Sequence, residues 1–441
     1  MLNLLRKIIG YDNLIRRAWH FKKGLLAAML YGFPGKKMVC IGVTGTNGKT
    51  TTTHMIEHVL HSAGKKVAMM STAEFSIDGK HWVNESKKTT LSPFQTQKFL
   101  KQCLKANMDY VVIESSSHAL HQFRLWGIPF CVGVMTNLTH EHLDYHGNMQ
   151  KYAAAKRMLF EIVAASSKKK MSKRMRQIAH QKTSVLNAGD EYYPLFKQVE
   201  VPVQVSYGIE TGDLQAVDIE NHKAGSKFAL ILKPSKLTQV IELKLTGSFN
   251  IENALAATGA ALACDLEWDA IKKGLESFES VPGRMERIKS PKGFEVMVDF
   301  ALTPDALQRL YSELKENTTG RLIGLIGSCG DRDKEKRPEM GKIVASHCDL
   351  TIVTDEEPYT ENPMDIMQAI LKGAEEVKTL GEDLLLIEDR KKAMEYAIKN
   401  AKKGDVIVVT GMGSFQTRTM NDGPMEWDER EVARELIGKY R

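Results

Sequence analysis

The residues best placed to do chemistry form one run, Ile41 to His54, with the sequence IGVTGTNGKTTTTH. A short apolar stretch, Met38 to Ile41, leads into it. Met55 to Leu60 follows with the apolar spacing of a helix. A strand, a glycine-rich turn and then Gly-Lys-Thr opening a helix is how a chain builds a phosphate cradle. Glycines let backbone N–H groups turn onto phosphate oxygens, and the helix N-terminus adds partial positive charge. Lys49 would neutralise the β/γ-phosphates and the Thr50 hydroxyl would reach a Mg2+ ion. The strict spacing puts a glycine where Val43 stands; this chain has glycines at 42 and 45 instead. The bland alternative is a glycine-rich turn that merely precedes a lysine. The strand before, the helix after and the threonine run argue against it.

Two further groups read as chemistry. Glu114 follows the apolar strand Tyr110 to Ile113, the position of a carboxylate that holds a nucleotide's metal. Without a phosphate loop it would be an ordinary surface glutamate. His140, His142, Asp144 and His146 crowd after the strand Phe130 to Met135, where ligands collect in an open α/β sheet. A lone histidine there would be structural; a cluster is a candidate for metal binding or catalysis. The six cysteines (Cys40, Cys103, Cys131, Cys264, Cys329 and Cys348) are scattered singly, with no CxxC pair. That excludes a zinc spacing and a disulfide framework, and points to buried thiols in a reducing cytoplasm.

These groups must be positioned by 441 residues, enough for two or three domains. Hydrophobic content of 43% and charged content of 26% describe a soluble globular chain. The net charge of +7 suits anionic ligands such as nucleotides and, more weakly, an anionic membrane surface. No basic stripe interleaved with aromatics is present, so nucleic acid is not expected. Residues 1–37 are basic and apolar together and read as a helical extension, either docked on the first domain or lying at a membrane interface. Their longest uncharged run is too short to span a bilayer, and no secretory cleavage site stands out. The basic run from Lys168 through Arg176 to Lys182 reads as a solvated face.

From residue 38 the pattern is βαβ, so residues 38–281 are expected to form a central ATP-binding domain. Its sheet should be mostly parallel, with a small antiparallel subdomain over 200–247. An Ala-rich helix covers 250–264, and Ser280-Val281-Pro282-Gly283 reads as a hinge. A second alternation then predicts strands at 296–300, 322–327, 350–354, 384–387 and 405–410. Helices are predicted near 304–316, 338–347, 363–376 and 390–402. Residues 282–441 are thus a Rossmann-like α/β domain without a second phosphate loop.

Taken together, the chain resembles the Mur ligases, ATP-dependent amino-acid-adding enzymes of peptidoglycan synthesis, and most closely the members that add the third residue. The resemblance runs from Met38 to the C-terminus. Its carriers are GVTGTNGKTTTT, KTTLSP, ESSSHALHQFR, TNLTHEHLDYHGNMQKYAAAK, LNAGDE, GSFNIENALAA, VPGRMERI, VDFALTPDAL, GDRDKEKRPEMG, DEEPYTENP and DEREVARE. The irregularity at Val43 matches the family's own form of the loop. The resemblance implies a P-loop fold and a metal-assisted ligation. ATP phosphorylates a substrate carboxylate, the amino group of an incoming amino acid attacks the acyl phosphate, and phosphate leaves.

It also implies residue roles. Gly45, Thr46, Asn47, Gly48, Lys49, Thr50 and Thr51 would hold the phosphates of ATP, and Asn253, Arg284 and Asp299 the rest of the nucleotide. Thr50 and Glu114 would hold a first Mg2+; Glu114, His142 and Lys156 would surround a second, with Lys156 carbamylated. Lys49, Glu114, His142 and Lys156 form the catalytic set. Thr89, Thr90, Ser116, Gln122 and Arg124 would contact a muramoyl-peptide precursor. Arg332 would contact the incoming amino acid, with Glu357, Tyr359 and Gly411 completing the substrate set. A cytoplasmic monomer is expected, and peripheral membrane contact through residues 1–37 stays open beside their docking on the first domain.

The departures are as informative. The family's uridine-binding domain, of about a hundred residues, is not found ahead of Met38. Leu302 replaces a usual histidine, and Met412 and Phe415 replace a usual lysine and glutamate. Tyr359 replaces the arginine that marks meso-diaminopimelate users, which removes a bidentate clamp for a distal carboxylate. The run Asp355-Glu356-Glu357 would favour a cationic side chain such as that of lysine or ornithine. Two alternatives stay open: a ligase of folylpolyglutamate or cyanophycin type, and a non-catalytic ATP-binding regulator of wall assembly.

Overall fold

The computed structural model describes residues 14–166, 181–222, 225–233, 235 and 237–440. Residues 1–13 and the basic run from Lys168 to Arg176 lie outside them. Residues 222–224 aside, the chain folds as a first unit that runs to Glu279 and a second that begins at Ser280.

The first unit is built on three strands, β1 (Val39–Thr44), β5 (Tyr110–Glu114) and β6 (Phe130–Met135), each buried along its whole length. Their unbroken runs of β-branched and other apolar residues are what a parallel strand needs when helices cover both faces. β1 pairs in parallel with both neighbours, and the register sets Val43 beside Glu114 and Thr44 beside Met135. The strand ends therefore bring the phosphate loop, Glu114 and the segment after Met135 together at the carboxyl edge of the sheet. Helices Lys49–Ser62, Pro93–Lys105, Met149–Ala165 and Ser248–Leu262 accompany these strands.

On one side of this centre lie β2 (Val67–Met70) and a hairpin of β3 (Glu74–Ile77) and β4 (Lys80–Val83). On the other lie β7 (Thr183–Asn187), β8 (Val203–Ile209), β9 (Leu214–His222), β10 (Gly225–Leu232) and β11 (Leu237–Leu243). Among the described residues the eleven strands run in the order β11-β10-β9-β8-β7-β6-β1-β5-β2-β3-β4. The strands expected as a small antiparallel subdomain thus extend the main sheet. β8 is parallel to β7 and to β9, and β10 and β11 form an antiparallel pair at that edge.

In the second unit the order is β12-β13-β17-β14-β15-β16. These are Glu286–Lys289, Glu295–Asp299, Val406–Thr410, Leu322–Ile326, Leu350–Val353 and Leu384–Leu386. Within this sheet only β12 is antiparallel to its neighbour. Helices Pro304–Asn317, Lys336–His347, Pro363–Ala374 and Arg390–Lys399 fall within a few residues of their predicted positions. The α/β alternation is as expected because each strand buries its apolar run, and each helix buries one stripe such as Ala393, Met394 and Ala397. Met412 is fully buried in that core, so the position where the family has a lysine has become a packing position. No described helix is long and apolar enough to cross a membrane.

Candidate active site

At the end of β1 the backbone turns into a loop that closes on Gly48, whose φ of 79° lies in the left-handed region. A Cβ built there would stand 2.3 Å from Asn253 Oδ1, so only glycine fits without displacing that side chain. The loop is pinned from outside. Asn47 N donates to Asn137 Oδ1 at 2.8 Å, Thr136 Oγ1 donates to Asn47 O at 2.6 Å, and Thr46 N donates to Asn137 O at 2.8 Å. Asn253 joins it through Thr52, whose hydroxyl donates to Asn253 Oδ1 at 3.0 Å. Lys49 Nζ donates to Thr46 O at 2.6 Å and so stays over the loop. Thr51, one residue beyond Thr50 on the same first turn, is buried.

Thr50 and Glu114 meet directly. The Thr50 hydroxyl lies 3.1 and 3.2 Å from the two carboxylate oxygens, and Thr72 N donates to Oε2 at 2.6 Å. Glu114 is 1% exposed. A hydroxyl and a carboxylate are hard oxygen donors, and Mg2+ takes one or two such protein ligands beside phosphate oxygens and water. The pair fits that ion. Among the described residues no group of three or more His, Cys, Asp or Glu side chains could hold a metal on its own.

Lys156, on the helix Met149–Ala165, is 1% exposed and donates to Gly45 O, 111 residues away in sequence. Burial holds its amine well below the ordinary lysine range, and the nearby charge of Lys49 adds to the effect. Its Nζ also sits 4.5 Å from the centroid of the Tyr152 ring.

The four residues His140, His142, Asp144 and His146 do not act as one cluster. His140 and Asp144 are exposed, while His146 is buried with its Nε2 3.0 Å from Ser117 Oγ. His142 has a positive φ of 57°, and its ring stands edge-on to that of His118 at 4.8 Å. Desolvation lowers the His142 pKa, and Lys156 and Lys49 lower it further against Glu141. Desolvation pushes His118 down to about 2, with His142 and His146 adding to it. Both rings are therefore neutral at physiological pH.

A polar cluster adjoins these rings. Thr90 Oγ1 donates to Glu114 O at 2.8 Å, and Ser116 N donates to Thr90 Oγ1 at 3.1 Å. Arg124 donates to Thr90 O at 3.0 Å and to Gln122 Oε1 at 2.7 and 3.0 Å. Gln122 Nε2 in turn donates to the Tyr145 hydroxyl at 3.0 Å, which lies 2.9 Å from His121 Nδ1. Thr90, Ser116, Gln122 and Arg124 are thus brought together, with Thr89 next to Thr90 in the chain. Tyr145, His118, His121 and Thr72 were not singled out from the sequence. Three of them lie inside runs quoted above, ESSSHAL, HQFR and HLDYHG, which was their only signal.

In the second unit Asp299 ends β13 and accepts from Met285 N at 2.8 Å and Ala301 N at 2.7 Å; burial raises its pKa. The Arg284 guanidinium lies 4.3 Å from the centroid of the Phe300 ring, and Phe415 packs edge-on to the same ring at 5.0 Å. Phe415, where the family has glutamate, therefore takes part in an aromatic stack. Leu302 O accepts from Lys336 Nζ at 2.8 Å.

The acidic run is largely spoken for. Asp355 is paired with buried Arg418 at 2.6 Å, so its charge already has a partner within the chain. Glu356 lies 3.1 Å from Cys329 Sγ, and burial raises its pKa to about 7 despite the charge of Arg390. Gly411 has its α-carbon against this carboxylate, where a Cβ would stand 2.0 Å from Oε2. Glu357 accepts from Thr419 N at 2.8 Å. Tyr359 has a positive φ of 53°, and the Arg332 guanidinium lies 5.5 Å from its ring centroid.

Comparison with known proteins agrees with this geometry. A Mur ligase middle domain matches residues 43–261, and a Mur ligase, glutamate ligase domain matches residues 283–413. The UDP-N-acetylmuramyl-tripeptide synthetase of Roseiflexus sp. (strain RS-1) is 37% identical over 94% of this chain and 81% of its own. A UDP-N-acetylmuramoyl-L-alanyl-D-glutamate--2,6-diaminopimelate ligase of Syntrophomonas wolfei is 38% identical over 95% and 82%. A solved structure of a ligase of that same name superposes with a TM-score of 0.61 at 29% identity, over 91% of this chain and 79% of the other. Folylpolyglutamate synthase of Mycobacterium tuberculosis has a TM-score of 0.70 over 95% of each chain, but at 17% identity it shares the fold alone.

Proposed function

The chain belongs to the Mur ligase family, and from that premise we propose that it is an ATP-dependent ligase adding an amino acid to a muramoyl-peptide precursor. The observation that carries the proposal is the group at the phosphate loop: half-buried Lys49 with buried Thr50, Glu114 and Lys156, on three converging elements. A carboxylate is a poor electrophile and must first be activated. One of its oxygens attacks the γ-phosphorus, the P–O bond to ADP breaks, and an acyl phosphate forms. The amine nitrogen then attacks the acyl carbon, the C–N bond forms, and phosphate leaves with the former carboxylate oxygen while the nitrogen gives up a proton. Both steps crowd anions, so cationic Lys49 and the loop N–H groups stabilise charge where it develops.

Thr50 and Glu114 are the residues that would hold Mg2+, which neutralises phosphate charge when bound. Carbamylation of Lys156 is part of the proposal. A neutral amine attacks carbon dioxide, forming an N–C bond and releasing one proton, and the lowered basicity of buried Lys156 favours that neutral amine. The product is a carboxylate-like group able to serve a second Mg2+ with Glu114 and His142.

Arg332 is proposed to meet the α-carboxylate of the incoming amino acid. Tyr359 stands where a second guanidinium would bind a distal carboxylate, so amino acids without one are the expected substrates. The ring of Tyr145, which Gln122 contacts, and that of His118 beside it would border the muramoyl-peptide. The protein is proposed to work as a monomer in the cytoplasm, in keeping with six cysteines of which none is in a disulfide.

The test is phosphate release with UDP-linked muramoyl-dipeptide and a panel of amino acids, and with the same peptide lacking UDP. Release that needs both acceptor and amino acid is expected. Nucleotide binding without turnover in every combination would overturn the proposal in favour of a regulator. Turnover only with a folate or other peptidyl acceptor would place the chain with a different substrate. Meso-diaminopimelate as the best amino acid would refute the role given to Tyr359.

A further inference from the structure

The helix Leu14–Tyr31 is docked the opposite way to a soluble helix. Its buried residues are the small ones, Gly24, Ala27 and Ala28. Gly24 lies so close to the segment after the short helix Ser117–His121 that a Cβ would stand 2.5 Å from Phe123 O. Phe21, at the margin, packs edge-on to the rings of Phe123 and Trp126 at 5.7 and 5.4 Å. The bulky residues point away: Ile15, Trp19, Leu26, Met29 and Leu30 are 57–79% exposed. At 3.6 residues per turn these five fall within an arc of about 100°. An apolar stripe of that width is the one a helix ordinarily turns toward a core.

The charge around the stripe selects its occupant. Arg16, Arg17, Lys22 and Lys23 lie on the helix and Lys36 and Lys37 follow it, while no Asp or Glu occurs between Leu14 and Ile56. Lys22 falls within the stripe and Lys23 at its border, with the Lys23 ammonium 4.8 Å from the Trp19 ring centroid. Long cationic side chains of this kind bury their stems and keep the head at a polar boundary. We propose that this face lies in the headgroup region of an anionic lipid bilayer, parallel to its plane. The described helix is not long and apolar enough to cross the bilayer. Joining two copies through this face would set like charges against each other, which disfavours a second copy as the occupant. The inference is independent of the ligase activity.

The test is sedimentation of the full chain with phosphatidylcholine vesicles, with and without phosphatidylglycerol. Binding is expected only with the anionic lipid and should weaken as salt is raised. Lys22→Gln with Lys23→Gln should lower the partition coefficient by about 30-fold. Leu26→Ser with Leu30→Ser should lower it by about tenfold. All four positions are exposed, so the melting temperature should stay unchanged and separates lost binding from lost folding. No binding to the anionic vesicles, or binding indifferent to both pairs, overturns the proposal. A dimer in solution that Leu26→Ser with Leu30→Ser converts to monomer would assign the face to a second copy and overturn it too.

Discussion

Replacing Thr50 by valine removes one hydroxyl and almost no volume. That hydroxyl is shared between the two oxygens of Glu114 at 3.1 and 3.2 Å, and the carboxylate is nearly inaccessible to solvent. Thr72 N remains as its other close donor. A hydrogen bond to a charged group contributes about 1.5–3 kcal/mol, so the variant should lose about 2 kcal/mol of stability. For a unit of this size that is a fall of about 4–8 °C in its thermal transition. The same hydroxyl is the proposed metal contact. The Mg2+ concentration giving half-maximal turnover should therefore rise, by about tenfold if 1.4 kcal/mol of binding is lost. Thr50→Ser keeps the oxygen and is the control. It should retain the Mg2+ dependence of the parent even if loss of the methyl lowers the melting temperature. The assay is differential scanning calorimetry beside phosphate release over a Mg2+ series. A valine variant that melts with the parent, or a serine variant as impaired in Mg2+ response as the valine, would refute the reasoning.

Gly48→Ala should destabilise the first unit by about 1–2 kcal/mol for the left-handed backbone alone, with more from the push on Asn253. In an Asn253→Ala background the second part disappears, so a double-mutant cycle on urea midpoints should show a positive coupling. Folding weakens the hold of Lys156 on its proton, so the stability of the parent should rise with pH up to the ordinary lysine range. Lys156→Met lacks that slope: it should be relatively more stable near pH 7, with the gap closing toward pH 10. Glu356 behaves in the opposite sense. Its folded pKa of about 7 lies above the unfolded value, so the folded state holds the extra proton and stability falls as pH rises from 4.5 to 7. Glu356→Gln should flatten that part of the melting-temperature profile.

Much of the fold and the phosphate loop could be read from the sequence because both depend on local signals. A loop that turns N–H groups inward needs glycines in a short run, and buried parallel strands need unbroken apolar segments. Both leave a mark within ten residues. What escaped was set by partners far away in the chain. The acidic run 355–357 reads as three charges favouring a cationic side chain until Arg418, more than 60 residues on, pairs with Asp355. The low basicity of Lys156 comes from packing beneath Gly45 and beside Lys49, which no pattern around Lys156 contains. The histidines after β6 looked alike in sequence, yet one is buried against Ser117 and another is exposed. The hairpin of β3 and β4 did leave a signal, the Asp78-Gly79 pair with both φ angles positive, a two-residue turn that joins strands. Each of its strands is only four residues long, and their alternation is too brief to stand out.

The central claim is that a carboxylate is activated by phosphorylation before the amide forms. The direct measurement is to label the acceptor's carboxylate with oxygen-18, run one turnover with ATP and an accepted amino acid, and weigh the released phosphate. The account predicts one labelled oxygen in each phosphate, one left in the new amide, and no labelled phosphate from Lys49→Ala. Phosphate released without label while the amide forms would contradict it.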